Sequence, residues 1–568
     1  MTPKSSLAPA SPHPAFLELA LIALLFVFSF SANSQTIESP SRPARSGNRV
    51  ISGVVQNAKT GLPLEEADVT LTEPGSNTVV AATTSSDGGQ FSFSNLADGK
   101  YSLRASHRGY IPAAFQDHDG YSTAIVTGQD QITTGLRLTL APQGVLLGTV
   151  SEDSGDPVPK ARVSLYRVQH LNGIEKTTRA GETTTDDLGN YEFPNLAPGN
   201  YYVVVLAQPW YATHPQLSGK ADNSRPRSPL DVAYPITYYA DVTDSNAATP
   251  IPVSAGERIS VNFALHPVPA VHLIVQVPKS ANNGFINFPQ VRQDVFGSTE
   301  MASPTSTGYI DTQPGATFTV VELNGLAPGH YEVELGSSQG STGRVAALDA
   351  AASAETVDLA TAGQSLPELT GKLILSSAEQ GAVPKDLNVS LKPREGDSWN
   401  NGRVEPDGSF HMQGLHPGTY DVLVNAPNTV YAVRRIAAKG AKVSGSTITV
   451  GSDPIELTLS ITQSSATVMG FAKSNGKPAP GVFVLLVPAH FAADSPLPET
   501  DQSDSDGSFE FARVPPGEYN LIAIQEGWTL DWGRPEVLNG YLVKGQRVTI
   551  AAQAKEINLK DPIETQPK

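Results

Sequence analysis

The sequence predicts an all-β protein: a tandem array of about five antiparallel β-sandwich domains that follows a signal peptide. Three observations predict it, namely the composition, an apolar segment near the start, and a set of motifs that recurs at nearly constant spacing. Gly and Pro number 49 and 45 among 568 residues, about one residue in six together. This density of turn formers disfavours long helices, and 39% apolar residues are too many for a disordered chain.

The opening segment, residues 1–34, is typical of a secretory signal peptide. Residues 19–30 form an apolar core, and the small residues Ala32 and Ser34 precede an expected cleavage point. The core is shorter than the roughly 20 residues that span a bilayer. We therefore expect an exported protein, periplasmic, cell-surface or extracellular, with no stable membrane insertion after cleavage. The alternative is an uncleaved N-terminal anchor.

The repeated motifs give the domain organisation. Each unit begins with a glycine between apolar strand residues and ends with a Gly-x-Tyr corner. Four units separate the opening glycine from the corner tyrosine by 48, 53, 49 and 49 residues: Gly53 and Tyr101, Gly148 and Tyr201, Gly371 and Tyr420, Gly470 and Tyr519. A third unit in chain order keeps only the Tyr331 corner and an apolar strand at 272–277. We expect each corner tyrosine to pack its ring in the core and to tie down the chain with its hydroxyl.

Turns rich in Gly and Pro and the ends of the alternating strands set the boundaries. The predicted domains are 50–142, 143–266 with a long loop, a degenerate domain at 267–365, 366–462 and 463–562. The longest irregular stretch, 216–241, lies in the second domain, and loops of this length are candidates for function.

The order of these motifs resembles the carboxypeptidase regulatory-like domain. Gly61-Leu62-Pro63 and the turn from Asp187 to Tyr191 fill the two positions between the opening glycine and the corner. The resemblance implies a transthyretin-like, that is prealbumin-like or Ig-like, seven-stranded sandwich related to carbohydrate-binding-like folds. It covers the first, second, fourth and fifth units well. It implies a fold and a compartment, and it provides no catalytic residue.

The residues that enzymes need are scarce in this chain. With no cysteine, neither a thiol nucleophile nor a disulfide is available. None of the 11 histidines is followed by Glu three residues later, so the His-x-x-Glu pair of a zinc peptidase is missing, and there is no P-loop. Gly336, Ser338 and Gly340 match the form of a hydrolase nucleophile elbow, but a low-complexity run follows, and a flexible loop is expected. We predict no enzyme, no catalytic residue and no cofactor.

Two groups of residues could bind a metal ion, and each has a simpler interpretation. Asp501, Asp504 and Asp506 beside a glycine suggest a calcium loop, although turn aspartates explain them better because the bidentate acid is missing. His411 and His416 flank the fourth corner as a possible ligand pair, with a surface pair as the simpler interpretation. No metal site is predicted.

Aromatic residues that follow the corners are the candidate ligand-binding residues. Sugar rings stack on exposed flat aromatics, and five residues form the speculative platform: Tyr110, Trp210, Tyr211, Trp528 and Trp532. The alternative is that they cap the ends of the sandwich cores. Tyr234, Tyr238 and Tyr239 in the long loop have the same two interpretations.

The predicted function is an exported, non-catalytic interaction or scaffold module at the cell envelope. Its partners would be polysaccharide or envelope proteins, and 39 Lys and Arg against 56 Asp and Glu exclude a sequence-independent nucleic-acid binder. One alternative is a polysaccharide-binding protein of an uptake or degradation system, and another is an accessory or regulatory component of a peptidase. Whether the domains form a rod or fold back on one another stays open.

Overall fold

The computed structural model describes residues 46–568 except 77, 119, 225, 280–287, 303, 311–315, 338–341, 376–385, 395, 397, 398, 427, 428, 463, 464, 493 and 494. The predicted signal peptide lies outside the described residues. The chain divides into two units, Met1–Ser46 and Gly47–Lys568, and all five sandwich cores lie in the second. Among the described residues, no helix has the length and apolar character needed to cross a membrane.

The described residues of the first sandwich form nine strands. They are β1 (Ser46–Asn57), β2 (Asp68–Thr72), β3 (Val79–Thr84), β4 (Gln90–Leu96), β5 (Gly99–Ser106), β6 (Tyr110–Ile111), β7 (Ala113–Ala114), β8 (Ile125–Thr127) and β9 (Leu136–Pro142). One sheet has the order β4-β1-β9-β6 and the other β3-β2-β5-β7, with β8 beside β5. In β4, Phe91, Phe93 and Leu96 are buried between exposed neighbours, so alternation directs one face of the strand into the core.

The second sandwich repeats this plan. Its strands are β10 (Gly144–Glu152), β11 (Arg162–Leu171), β12 (Ile174–Thr184), β13 (Asn190–Leu196), β14 (Gly199–Leu206), β15 (Val232–Ala233), β16 (Thr237–Tyr238), β17 (Ile251–Val253), β18 (Arg258–Ser260) and β19 (Phe263–Leu265). The sheets are β13-β10-β18, with β19 also beside β10, and β12-β11-β14-β16, with β17 beside β14. A 3-10 turn, Ser245–Ala247, lies in the long connection.

The third sandwich is regular although its sequence motifs are degenerate. Its strands are β20 (Val268–Pro269), β21 (Val271–Pro278), β22 (Gln290–Val295), β23 (Ser298–Ala302), β24 (Ser306–Ile310), β25 (Phe318–Leu326), β26 (Gly329–Leu335), β27 (Arg344–Ala350), β28 (Ala354–Asp358) and β29 (Gln364–Ser365). Its sheets are β24-β25-β21-β28 and β23-β22-β26-β27-β29, and β20 pairs with β15 of the second sandwich.

In the fourth sandwich one long strand joins the two layers. The strands are β30 (Leu369–Leu375), β31 (Asn388–Pro393), β32 (Asn400–Arg403), β33 (Ser409–Met412), β34 (Gly418–Ala426), β35 (Thr429–Lys439), β36 (Ala441–Ser444), β37 (Thr447–Val450) and β38 (Ile455–Thr462). Their order is β32-β31-β34-β35-β38-β30-β33, with β37 beside β34 and β36 beside β37. Because β35 pairs with both β34 and β38, the sheet is continuous around the core.

The fifth sandwich adds helical segments to the plan. Its strands are β39 (Ala466–Ser474), β40 (Lys477–Pro478), β41 (Phe483–Pro488), β42 (Glu499–Gln502), β43 (Ser508–Val514), β44 (Gly517–Ile524), β45 (Gln546–Ile550), β46 (Glu556–Asn558) and β47 (Ile563–Glu564). A 3-10 turn at Gly527–Thr529 and the helix α1 (Pro535–Leu542) lie between β44 and β45. The predicted all-β array of about five sandwiches is confirmed, whereas the boundaries assigned above stay predictions.

The opening glycines mark the close approach of a second strand. In the first two sandwiches the opening strand pairs in parallel with a closing strand, for example Gly53 with Leu136. A Cβ on Gly53 would lie 2.2 Å from the Leu136 carbonyl oxygen, and one on Gly148 would lie 1.7 Å from that of Val261. Any larger residue would therefore separate the paired strands.

The corner tyrosines confirm their predicted role. In all five sandwiches the tyrosine hydroxyl donates a hydrogen bond to the carbonyl oxygen four residues earlier. The pairs are Tyr101 and Ala97, Tyr201 and Ala197, Tyr331 and Ala327, Tyr420 and His416, Tyr519 and Pro515, at 2.5–3.0 Å. Each bond closes the turn that leads into the next core strand.

Sandwiches that are distant in sequence also contact one another. The backbone N–H of Ser505 in the fifth donates to the carbonyl oxygen of Ala124 in the first at 3.0 Å. Lys100 and Asp504 form an ion pair of 2.6 Å across the same boundary. The first sandwich therefore packs against the fifth, so the chain folds back on itself.

Candidate functional site

A cleft of about 690 Å³ lies between the second and third sandwiches. The second sandwich contributes Arg162 on β11 and the residues that follow β14, and the third contributes Gln293 on β22 and Leu326 on β25. The residues that line the cleft include apolar, basic and amide side chains. The cleft therefore offers both stacking and hydrogen-bonding surface to a ligand.

Trp210 lies at this cleft and is 83% exposed. Tyr211 meets its indole edge-on, with ring centroids 5.8 Å apart and an interplanar angle of 89°. Desolvation and a hydrogen bond to Glu152 raise the pKa of Tyr211 to about 12, so its hydroxyl is a neutral donor at physiological pH. An indole face this exposed and held beside a second aromatic ring is available to an apolar or sugar face.

The exposed platform predicted at Trp528 and Trp532 is wrong, because each indole is only 7% exposed. Trp528 stacks on His118 of the first sandwich, with centroids 5.0 Å apart and planes 6° apart, and it also contacts Phe483. Trp532 packs over Gly173 of the second sandwich. Both rings fill boundaries between sandwiches, which the sequence of one repeat does not reveal.

The other predicted aromatics are placed separately. Tyr110 is half-buried against the first core, and its hydroxyl accepts a hydrogen bond from Asn57 Nδ2 at 3.1 Å. Tyr234 and Tyr238 are buried, at 7% and 4% exposure, and Tyr239 is half-buried against Phe263. The structure brings Trp210 and Tyr211 together at the cleft, and a binding role at Tyr110, Trp210 and Tyr211 stays a prediction.

The three aspartates considered for calcium accept hydrogen bonds within their own turn and across a boundary. Asp501 accepts from the backbone N–H groups of Gln502 and Glu510, and Asp506 accepts from that of Ser508. Asp504 pairs with Lys100. Burial raises the pKa of Asp501 to about 7 despite its two backbone donors.

His411 and His416 have separate partners. His411 Nε2 lies 3.8 Å from a Glu368 oxygen. The two ring nitrogens of His416 face Glu332 and Glu334 of the third sandwich, at 3.4 and 3.3 Å. Burial alone would raise the pKa of Glu334, but His416 and Arg292 together lower it. His416 therefore belongs to the boundary between the third and fourth sandwiches. Ser338 and Gly340 of the elbow-like sequence lie outside the described residues.

A polar network that the sequence does not indicate lies next to the cleft, behind its lining residue Gly325. His214 Nδ1 lies 2.8 Å from Asp231 Oδ1, and His272 Nε2 lies 2.8 Å from Asp231 Oδ2. His272 Nδ1 lies 2.9 Å from Asn324 Oδ1. The side chains of His214, Asp231 and His272 are 2%, 7% and 2% exposed. Their sequence separation hides the cluster, although Asp231 lies in the long loop at 216–241, whose length makes it a candidate for function.

Hydrogen bonds between side chains and backbone groups hold the long loop against the third sandwich. The buried carboxylate of Glu322 accepts hydrogen bonds from the backbone N–H groups of Leu217 and Gly219. Asn223 Nδ2 donates to the Ala354 carbonyl oxygen at 3.1 Å. This cover explains why β21 is buried on both faces: His272 and Ile274 face the loop, and Leu273 and Val275 face the core.

Two curated proteins are similar to parts of the chain. Colossin-A of Dictyostelium discoideum is 23% identical over 434 residues, which are 66% of this chain and 3% of Colossin-A. Serine-aspartate repeat-containing protein F of Staphylococcus epidermidis is 24% identical over 209 residues, 34% of this chain and 12% of that protein. The chain thus spans a small part of the length of these relatives.

Among solved structures, the shaft pilin SpaA from Lactobacillus rhamnosus GG aligns with 10% identity and a TM-score of 0.19, covering 39% of this chain and 99% of the pilin. The minor pilin GBS52 of Streptococcus agalactiae aligns with 14% identity and a TM-score of 0.19, covering 41% and 100%. The family model described as the carboxypeptidase regulatory-like domain matches residues 50–140 and 145–266. The first two sandwiches, the second of which carries Trp210, therefore belong to the carboxypeptidase regulatory-like domain family.

Proposed function

We propose that the protein is an exported, non-catalytic scaffold of the cell envelope that binds a partner at the cleft between its second and third sandwiches. The observation that carries this proposal is the indole of Trp210, 83% exposed beside that cleft. Single exposed aliphatic residues such as Ile132 are common on protein surfaces, whereas an exposed tryptophan beside a cleft is typical of an interface, because its large ring gains most from burial. Membership of the first two sandwiches in a regulatory-like domain family supports binding over catalysis.

The support beneath Trp210 favours a rigid binding surface. The preceding residue, Pro209, is buried, and β14 just before it lies in the middle of its sheet between β11 and β16. Across the boundary between the two sandwiches, the buried Tyr166 hydroxyl donates to Glu300 of the third sandwich. Arg162 and Arg179 lie within 3.4 and 3.6 Å of the same carboxylate. A preformed surface loses less conformational entropy when a partner binds.

Site-specific crosslinking in the cell of origin tests the proposal. A photoreactive amino acid replaces Trp210 in one variant and Ile132, an apolar residue with 82% exposure in the first sandwich, in a control variant. We expect discrete crosslinked products in the envelope fraction from position 210 and none from position 132. Recovery of the protein in the cytoplasm, or the same products from both positions, would contradict the proposal.

A polysaccharide is the second candidate for the partner. The pairing of Trp210 with an edge-on Tyr211 favours it, because sugar rings place their C–H faces on such indoles. The test is a pull-down of residues 35–568 with insoluble polysaccharides, peptidoglycan included. Saturable binding to one polymer that is lost in Trp210→Ala and kept in Ile132→Ala would support this candidate. Equal binding by all three proteins would remove Trp210 from it.

A further inference from the structure

The geometry points to a metal site: His214, Asp231 and His272 bind one divalent ion of the zinc class, and this ion fastens the long loop of the second sandwich to the third. The three side chains come from distant parts of the chain. His214 follows β14, Asp231 immediately precedes β15, and His272 lies on β21. Their ligand atoms lie within 4.8 Å of one another. This inference does not depend on the partner proposed for the cleft.

The hydrogen bond at Asn324 fixes which nitrogen of His272 is protonated. An amide oxygen only accepts, so His272 Nδ1 must donate to Asn324 Oδ1. In the neutral ring, Nε2 then carries a lone pair, and this lone pair faces Asp231 Oδ2 at 2.8 Å. Two acceptors at that distance repel each other unless a cation lies between them. Either a proton held between the two groups or a metal ion removes this repulsion.

The arrangement at His272 is the one found around metal-binding histidines. Such a histidine commonly donates its other N–H to a carbonyl or carboxylate oxygen, which sets the tautomer and orients the ring. Asn324 provides that oxygen, and the strand pair β21 and β25 places it beside His272. The Nε2 lone pair of His272 thereby faces Asp231, whose other carboxylate oxygen faces His214.

Burial and charge favour a metal ion over a proton. Asp231 is 7% exposed, and a carboxylate buried this deeply is costly without positive charge beside it. A dication bound by two neutral histidines and Asp231 would offset that charge.

The donor set selects the class of metal. Imidazole nitrogen and carboxylate oxygen bind Zn²⁺ at about 2.0–2.2 Å, which separates tetrahedral ligand atoms by roughly 3.4 Å. The two contacts to Asp231 are 2.8 Å now, so a few tenths of an ångström of outward movement would admit the ion. Mg²⁺ and Ca²⁺ prefer all-oxygen sites and are not expected to bind.

The space around the second nitrogen of His214 depends on a glycine. His214 Nε2 is buried and has no hydrogen-bond partner among the described residues. A Cβ on Gly325 would lie 2.5 Å from this atom and 2.6 Å from Thr305 Oγ1. Gly325 and Thr305 also line the cleft, so the metal site would form part of its rear wall.

Titration of the purified, chelator-treated protein with Zn²⁺ tests the inference. We expect one equivalent to bind and the melting temperature to rise by about 3 °C or more at saturating Zn²⁺. His272→Gln and His214→Gln should each weaken binding by at least about 10-fold. His330→Gln is the matched control, because His330 also pairs with an aspartate, Asp349, but on the exposed surface.

A second measurement keeps the test valid if those variants fold poorly. Co²⁺ in place of Zn²⁺ in the unaltered protein should give the intense visible absorption of a tetrahedral site, and Asp231→Asn should lose it. If the protein does not bind one equivalent of Zn²⁺, as expected when a proton occupies the position, the inference is overturned. So would equal Zn²⁺ binding by His330→Gln, His272→Gln and the unaltered protein, or octahedral Co²⁺ spectra.

Discussion

At the scale of single residues, the corner tyrosines tie each sandwich to its own chain. Tyr201 is 2% exposed, and its hydroxyl donates to the Ala197 carbonyl oxygen at 2.7 Å. Replacing it by Phe keeps the ring in the core and removes one buried hydrogen bond. The bond joins the turn before β14 to the core, so its loss should loosen that turn first.

We expect Tyr201→Phe to lower the free energy of unfolding of the second sandwich by about 1 kcal/mol. Hydrogen exchange along β14 measures this, because it reports on one sandwich within a multi-domain chain. Tyr202→Phe is the control, since that ring lies on the opposite face against Phe296. If Tyr202→Phe lowered the free energy of unfolding as much as Tyr201→Phe, the corner bond would have no special role.

Asp501 makes the stability of the fifth sandwich depend on pH. Burial raises its pKa from 3.8 to about 7, so the folded state holds this proton more tightly than the unfolded state. The contribution to stability is therefore fully present at low pH and is lost as the pH rises from about 4 to about 7. Asp501→Asn removes this ionisation. The melting temperature of Asp501→Asn minus that of the unaltered protein should therefore increase as the pH rises from 5 to 8.

Asp407→Asn is the control for that experiment. Hydrogen bonds from Ser409 and Lys372 lower the pKa of Asp407 to about 2, so it is ionised throughout this range. Its effect on the melting temperature should be the same at pH 5 and pH 8. A difference between Asp501→Asn and the unaltered protein that stays constant over this range would contradict the assignment.

The sequence could predict the corners because every atom involved lies within five residues. It could not predict the burial of Trp528, whose covering rings, His118 and Tyr121, come from the first sandwich about 400 residues earlier. The same limit hid the cluster at His214, Asp231 and His272. Exposure of an aromatic residue is set by whatever packs on it, and a repeat motif carries no information about its neighbouring repeats.

At the scale of elements, the β11–β12 hairpin joins the second sandwich to the fifth. Its turn residues Asn172 and Gly173 both have positive φ, 54° and 70°, which an Asn-Gly hairpin turn accommodates. Trp532 lies over this turn, and Gly533 N–H donates to the Gly173 carbonyl oxygen at 2.8 Å. Asp531 accepts from the Glu175 backbone N–H.

We expect Trp532→Ala to destabilise this boundary by about 3 kcal/mol, because a large aromatic side chain leaves a buried cluster. Faster hydrogen exchange in the hairpin at 170–175 would report the opening. Trp399→Ala, at a side chain that is 48% exposed, should change stability by no more than about 0.5 kcal/mol. Unchanged exchange at 170–175 in Trp532→Ala would contradict the role given to the indole.

The sequence predicted most strands through their period-two alternation, but not the helical cap of the fifth sandwich. The helix α1 and the turn at Gly527–Thr529 interrupt a region in which the repeat pattern predicts a connection between strands. The cap exists because Leu538 and the two tryptophans complete a separate apolar cluster with Phe483. The degenerate third unit is the converse case, since β21 is buried on both faces and forms a regular sheet although the repeat motifs are missing.

At the scale of the whole unit Gly47–Lys568, contacts between distant sandwiches decide whether the array is a rod. The first meets the fifth at Ala124 and Ser505, and the fifth also meets the second at Gly173 and Trp532. Arg434 of the fourth donates to the Pro516 carbonyl oxygen of the fifth at 2.8 Å. Together these contacts join the fifth sandwich to the first, second and fourth, so the array folds back on itself.

A disulfide trap between the first and fifth sandwiches tests this account most directly. The chain has no cysteine, so Ala124→Cys/Ser505→Cys would introduce the only thiols. The backbone N–H of Ser505 lies 3.0 Å from the Ala124 carbonyl oxygen, which places the two residues within disulfide range. We predict rapid, quantitative intramolecular crosslinking under mild oxidation, with neither single variant changing. Two thiols that stay free and are fully alkylated would contradict a folded-back scaffold.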